Sequence, residues 1–255
     1  MKNWTVLVVV LAVAAGVCLP AAGQGVLGDI MSGALVNPEP GVFAWYDVTD
    51  KATGRQFFLR QALVGEEKVK GKTGYWLETE IIPQVGYPMI CKMLLTGPAS
   101  DPANIHRVFL RDGAEPAEEV KPEDARWGGG GAMASGTRSV AGEEELTTAQ
   151  GPLKTEHVVF EREGDRTEVW TSDQARPMGI VRLVSKEGEL MLRTTGKGGP
   201  DAESALDRTY PAPPGSDDTK VQVQVRGQEK SDPPAAGAPP VQKNFGRKGG
   251  TSPEN

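Results

Sequence analysis

The chain has 255 residues, with 28 basic residues against 34 acidic ones and a formal net charge of −6. An acidic balance excludes a general nucleic-acid partner, which requires a basic stripe to replace the counterions on phosphate. Only 2 cysteines occur, at positions 18 and 91, so this is not a disulfide-stapled scaffold, and its stability has to come from a packed core that a chain of this length can build.

The N-terminus begins with Lys2, continues through an apolar stretch from Trp4 to Leu19 and reaches the small residues Pro20, Ala21, Ala22 and Gly23. This three-part layout is that of a secretory signal peptide, with cleavage expected after Gly23. A lipidated N-terminus at Cys18 competes with it, but Val17 stands where the lipobox wants a small residue. The apolar run also falls short of the roughly 20 residues that span a bilayer. Removal of residues 1–23 leaves a chain of about −7, since Lys2 is their only charge. Cys91 is then the only thiol. The expected location is periplasmic or secreted, with no transmembrane segment after signal cleavage.

Residues 26–36 place Val26, Leu27, Ile30, Met31, Ala34 and Leu35 on one helical face before the Asn37-Pro-Glu-Pro-Gly41 stop, which predicts a short helix packed on a sheet. From Phe43 the hydrophobic period becomes two. Strands are expected at 42–49, 55–64, 74–82, 86–95, 104–111, 154–162, 166–172, 178–186 and 189–195, each ended by Gly, Pro or Asp turn chemistry. Their mostly short connections suit hairpins of an antiparallel meander. Residues 112–152, with Glu118-Glu119, Gly128–Gly131 and Glu143–Glu145 and few apolar residues, read as one long loop, part of it a lid. A short strand at 219–226 follows from the alternation of Val221, Val223 and Val225. The expected organisation is thus a signal peptide over 1–23, a single β-rich domain over 24–226, and a disordered Pro/Gly-rich tail over 227–255.

Catalytic chemistry is hard to place on this sequence. The only histidines, His106 and His157, stand alone on separate strands, without the clustered ligands of a metal site. No Gly-x-Ser-x-Gly elbow occurs, and Cys91 lies in the apolar run Tyr87–Leu95, where burial would raise its pKa and silence it. Glu78 and Glu80 flank Thr79 on one strand face near Trp76; as a pair they suggest glycoside chemistry, but i and i+2 carboxylates are more simply the solvated side of a strand. Gly128–Gly131 lacks the strand and the Lys-Ser/Thr that a phosphate cradle needs. The chain is expected to be non-enzymatic, without cofactor or metal.

What survives is hydrophobic. In the strand 86–95, Tyr87, Met89, Cys91, Met93 and Leu95 face one way and Ile90 and Leu94 the other, so the strand is greasy on both sides. Leu77, Ile81, Phe160, Met178, Ile180 and Met191 extend this surface on neighbouring strands. Methionine is flexible and polarisable, suited to adaptable apolar contacts. Leu77, Ile81, Tyr87, Met89, Met93, Phe160, Met178, Ile180 and Met191 therefore form a candidate ligand lining, against the alternative of an ordinary core beneath the helix.

The signal peptide, the short helix, the meander with Gly74-Tyr-Trp-Leu-Glu-Thr-Glu-Ile81, and Glu168-Val-Trp-Thr-Ser-Asp173 leading into Pro177–Leu183 together resemble the exported lipoprotein-sorting proteins of the LolA-like kind. The resemblance spans residues 26–195. It implies a mainly β (α+β) fold, a curved, unclosed antiparallel sheet or half-barrel with the N-terminal helix packed on it, and a lipid or acyl chain as cargo on the concave face. The family's several lid helices have no counterpart in this sequence. The leading functional expectation is an envelope protein that binds an apolar ligand. A second is an assembly module whose Pro-rich tail, with Lys243, Phe245, Arg247 and Lys248, engages an envelope protein or anionic polymer. A third is a hydrolase with no recognisable motif.

Overall fold

The structure is a computed structural model that describes residues 34–124 and 136–210. Eleven strands are formed: β1 (Val42–Asp50), β2 (Gln56–Val69), β3 (Lys72–Pro83), β4 (Met89–Leu95), β5 (Ile105–Asp112), β6 (Glu118–Val120), β7 (Thr137–Thr148), β8 (Gly151–Arg162), β9 (Asp165–Thr171), β10 (Ile180–Val184) and β11 (Gly188–Lys197). Tight turns set the hairpins. In the β2–β3 and β8–β9 hairpins the two loop residues, Lys70-Gly71 and Glu163-Gly164, all have positive φ. That geometry matches the right-handed twist of the flanking strands and favours glycine at the second position.

All eleven strands join one sheet in the order β6-β5-β4-β3-β2-β1-β11-β10-β9-β8-β7. Two antiparallel meanders, β1–β6 and β7–β11, are joined where the first strand pairs with the last, from Val42 opposite Lys197 to Asp50 opposite Gly188. The sheet is curved and unclosed. Bulges at Trp45–Tyr46, Leu63–Gly65 and Val140–Gly142 interrupt the ladders and bend the strands that carry them. The curl is visible at Gln150, in the β7–β8 turn. Its side chain receives the Thr195 N–H at 2.8 Å and donates to the Thr195 carbonyl at 3.1 Å, although β8, β9 and β10 lie between β7 and β11 in the sheet.

Strand alternation gives the sheet two unlike faces. On the interior face Val42, Tyr46, Val48, Leu59, Leu63, Leu77, Met93, Val108, Val169, Leu183, Leu190 and Leu192 form one buried cluster. The outer face carries charged side chains and aromatics shielded by cations, of which Trp170 is buried and Phe58, Trp76 and Phe109 half-buried. Arg193 lies over Phe58, Arg182 over Trp170, and Arg107 over both Trp76 and Phe109, with guanidinium-to-ring distances between 4.9 and 5.5 Å.

Several expectations need correction. Residues 112–152 are not one loop, because they contain β6 and the 12-residue β7. β7 is an edge strand whose side chains are almost all exposed, so no apolar alternation marks it; its pairing with β8 makes it a strand. The expected helix over 26–36 lies mostly outside the described residues, and its last three positions, 34–36, are not helical. There Val36 donates its N–H to the Pro177 carbonyl at 2.8 Å, and Leu35 packs on the core. The signal peptide, Gly128–Gly131, the strand at 219–226 and the tail also lie outside the described residues.

Candidate functional site

The interior face gathers most of the predicted lining. Leu77 on β3 stands opposite Met93 on β4, and Ile81 stands opposite Met89. Leu77, Met93, Met178 and Ile180 belong to the same contiguous buried cluster, against which Ile81 and Phe160 pack half-buried. Met89 is half-buried, as is Tyr87, which lies over Gly113. Met191 is the exception. It pairs with Asp47 and Arg182, while its neighbours Leu190 and Leu192 point into the core, so it lies on the outer face. Period-two alternation within one strand could not reveal that its register is opposite to that of Met93.

The interior is not wholly apolar. Gln61 on β2 stands opposite Thr79 on β3, which stands opposite Cys91 on β4, a transverse polar row that meets Ala44 on β1, with Tyr46 in the next row opposite Leu59. Burial pushes the Cys91 thiol pKa well up, with the Glu78 charge adding to it, so this cysteine is not a nucleophile. Burial also raises the Tyr46 phenol, which stays protonated. Tyr46 Oη and Gln61 Oε1 have no hydrogen-bond partner in the protein, although both residues are fully buried. An unpartnered buried polar atom costs roughly 1–3 kcal/mol.

The outer face of β2–β5 holds a site that sequence reasoning missed. Beyond β11 the chain turns at Gly198-Gly199 and crosses these strands as a strap over residues 200–210. Beneath it Arg60 donates Nε to Glu80 Oε2 at 2.8 Å and Nη2 to Glu78 Oε1, and it donates Nη1 to the carbonyls of Asp201 (2.8 Å) and Glu203 (3.3 Å). Glu78 accepts the Ser204 hydroxyl at 2.5 Å and the Ala205 N–H at 2.7 Å. Arg111 donates Nη1 to the carbonyls of Leu206 (2.8 Å) and Arg208 (2.6 Å), and its guanidinium lies over the Tyr210 ring. Tyr210 donates its hydroxyl to Glu80 at 2.7 Å, and its pKa is raised to about 12, first by burial and then by that bond.

Glu78 and Glu80, expected on the solvated side of a strand, are therefore 0 % and 1 % exposed, and Arg60 is 0 % exposed. The expectation fails because the strap, distant in sequence, covers that face. Both carboxylates are committed to Arg60 and the strap, so they are not arranged as an acid–base pair around an open cleft.

The two histidines have structural surroundings. His106 Nε2 bonds the Thr96 hydroxyl at 2.8 Å. His157 stacks on Trp170 with ring centroids 4.3 Å apart and reaches Glu168 at 2.9 Å, while the Trp170 indole N–H donates to Glu144. This stack ties edge strand β7 to β9 across β8. Among the described residues no three His, Cys, Asp or Glu side chains converge on a possible metal position. No helix among them is long and apolar enough to cross a membrane.

No family model matches the chain, and no curated protein matches it. Solved structures similar to it include a protein described as exported, with a YmcC-like fold, from Bacteroides fragilis. It has 10 % identity and a TM-score of 0.34, with 65 % of this chain and 100 % of that chain covered. A protein from Parabacteroides distasonis described as a lipoprotein is similar at 11 % identity and a TM-score of 0.30, with 64 % of this chain and 99 % of that one covered. Neither is described as LolA-like.

Proposed function

We propose that this is a non-catalytic exported envelope protein that holds an apolar ligand, a lipid or acyl chain, against the interior face of its curved sheet. The observation that carries the reading is the pair of buried hydrogen-bonding atoms, Tyr46 Oη and Gln61 Oε1, left without protein partners in a predominantly apolar interior. A polar head group would satisfy both, and the neighbouring apolar side chains would take the chain. Entry is assigned to the end of the interior face at Ile81 and Met89. Along that row burial falls from the fully buried Tyr46 and Leu59 to these two half-buried residues.

Native mass spectrometry of protein purified without detergent tests the reading, together with titration of a fluorescent fatty acid. Adducts of lipid mass and saturable uptake, reduced at least several-fold in Tyr46→Phe/Gln61→Leu, are expected. Clean apo protein with no uptake would refute it.

A further inference from the structure

We infer that the outer face of β2–β5 is a peptide-binding site whose bound segment, residues 200–210, is exchangeable with the same segment of a second copy of this chain. The strap is recognised mainly through its backbone. Arg60 and Arg111 donate to four of its carbonyls, and Glu78 accepts its Ala205 N–H. Such bonds are available to any peptide that can take the turned path of the strap, with main-chain groups carrying the recognition. Side-chain selectivity comes from Ser204 on Glu78, the fully buried Ala205, and Tyr210 between Glu80 and Arg111. The ligand class is thus a peptide that opens with a 3-10 turn, as Pro200–Ala202 does, carries a Ser-Ala pair, turns back with the Arg208 N–H on the Ala205 carbonyl, and ends in a tyrosine.

The site is built by the sheet and not by the strap. Arg60 is held through Nε and Nη2 by Glu80 and Glu78 on the adjacent strand, which leaves Nη1 for the carbonyls of the strap. Two arginines against two glutamates cancel, which suits an uncharged backbone. The Nε of Arg111, a residue 8 % exposed, has no partner even with the strap in place and remains as a further donor.

The connection supplies the freedom to exchange. Gly198 and Gly199 have φ of +79° and +72°, and a Cβ at either would meet nothing within 4 Å, so glycine is required there by the folded-back backbone conformation; the Gly198 N–H to Gly41 carbonyl bond at 2.8 Å is the tie to the sheet that opening breaks. A hinge that opens presents residues 200–210 to a neighbouring copy, whose site makes the same bonds, and the second copy returns its own strap. Exchange of identical elements needs no new contacts.

Three measurements on the chain from residue 24 to 255 test this. Gly198→Ala/Gly199→Ala strains the folded-back hinge and leaves an extended one unstrained; light scattering is expected to show the dimer fraction rising at least several-fold over wild type. A fluorescein-labelled peptide of residues 199–210 is expected to bind Tyr210→Ala, whose own strap is weakened, at least 10-fold more tightly than wild type. Addition of Glu78→Gln should abolish that gain. In mixtures of two differently tagged copies, excess peptide should suppress heterodimers. Peptide binding by a chain that stays monomeric in the hinge variant would overturn exchange between copies. Absence of peptide binding to a Tyr210→Ala chain that still melts cooperatively would overturn the site itself.

Discussion

Arg60 and Glu78 form an ion pair in which neither side chain has any solvent exposure, on the face of the sheet that alternation alone would assign to water. The pair is tolerated because its remaining hydrogen-bonding capacity is used: Glu80 and two strap carbonyls take the other Arg60 donors, and Ser204 and Ala205 take the other positions on Glu78. Removing one partner of a buried pair leaves an uncompensated charge and costs about 3–5 kcal/mol. Arg60→Ala is accordingly expected to lose that much in urea melts and to expose the strap to trypsin at Arg208. Arg60→Met with Glu78→Gln, which removes one charge of each sign, should recover part of the loss.

The strap should also respond to alkaline pH. The folded-state pKa of Tyr210 is raised from 10 to about 12, so its contribution is fully present below pH 10 and is lost as pH rises through 12. Strap accessibility to proteolysis in brief pulses should therefore increase between pH 10 and 12. Tyr210→Phe should start from a looser strap and show little further change over this range. An identical pH response in Tyr210→Phe would contradict the assignment.

Met93 and Met89 lie on one face of β4 but differ in burial, with Met93 at 2 % exposure and Met89 half-buried. Met93→Ala is expected to cost about 2–5 kcal/mol by leaving a cavity, with ligand uptake per folded molecule unchanged. Met89→Ala should cost less than about 1.5 kcal/mol and reduce fatty-acid uptake, since a partly open position can be rewetted. Paired urea melts and titrations on both variants separate core from lining.

Gly179 has φ of +74°, and an added Cβ would stand 2.8 Å from Val36 Cγ2 and 3.4 Å from the Ser172 carbonyl. Gly179→Ala should therefore cost about 1–2 kcal/mol in backbone strain alone, plus the displacement of Val36. Loss of the Val36 N–H to Pro177 carbonyl bond would show as faster amide exchange at Val36 than in wild type.

Much of the fold is local in origin and was readable. The strands β1–β5 and β8–β11 follow from period-two alternation, because a side chain's face is set by a few neighbouring residues, but β2 runs past the expected end at 64 to Val69 and β3 begins at Lys72, so the Lys70-Gly71 turn was not read from the sequence. The apolar residues on both faces of β4 were readable, with Ile90 and Leu94 as buried as Cys91 and Met93, although Ile90 shares with Glu80 the face that the strap covers. β7 was unreadable because an edge strand with Glu143–Glu145 has no buried side to impose a pattern, and its hydrogen bonds go to β8 whatever its side chains are. The fates of Met191, Glu78 and Glu80 were decided only by tertiary structure. Which face of β11 meets the core depends on the register of β1 with β11, a pairing across the whole domain. Whether Glu78 and Glu80 are wet or dry depends on a strap that returns from residue 200 to cover them. Sequence alternation determines that two faces differ, and only the folded chain decides what each face meets.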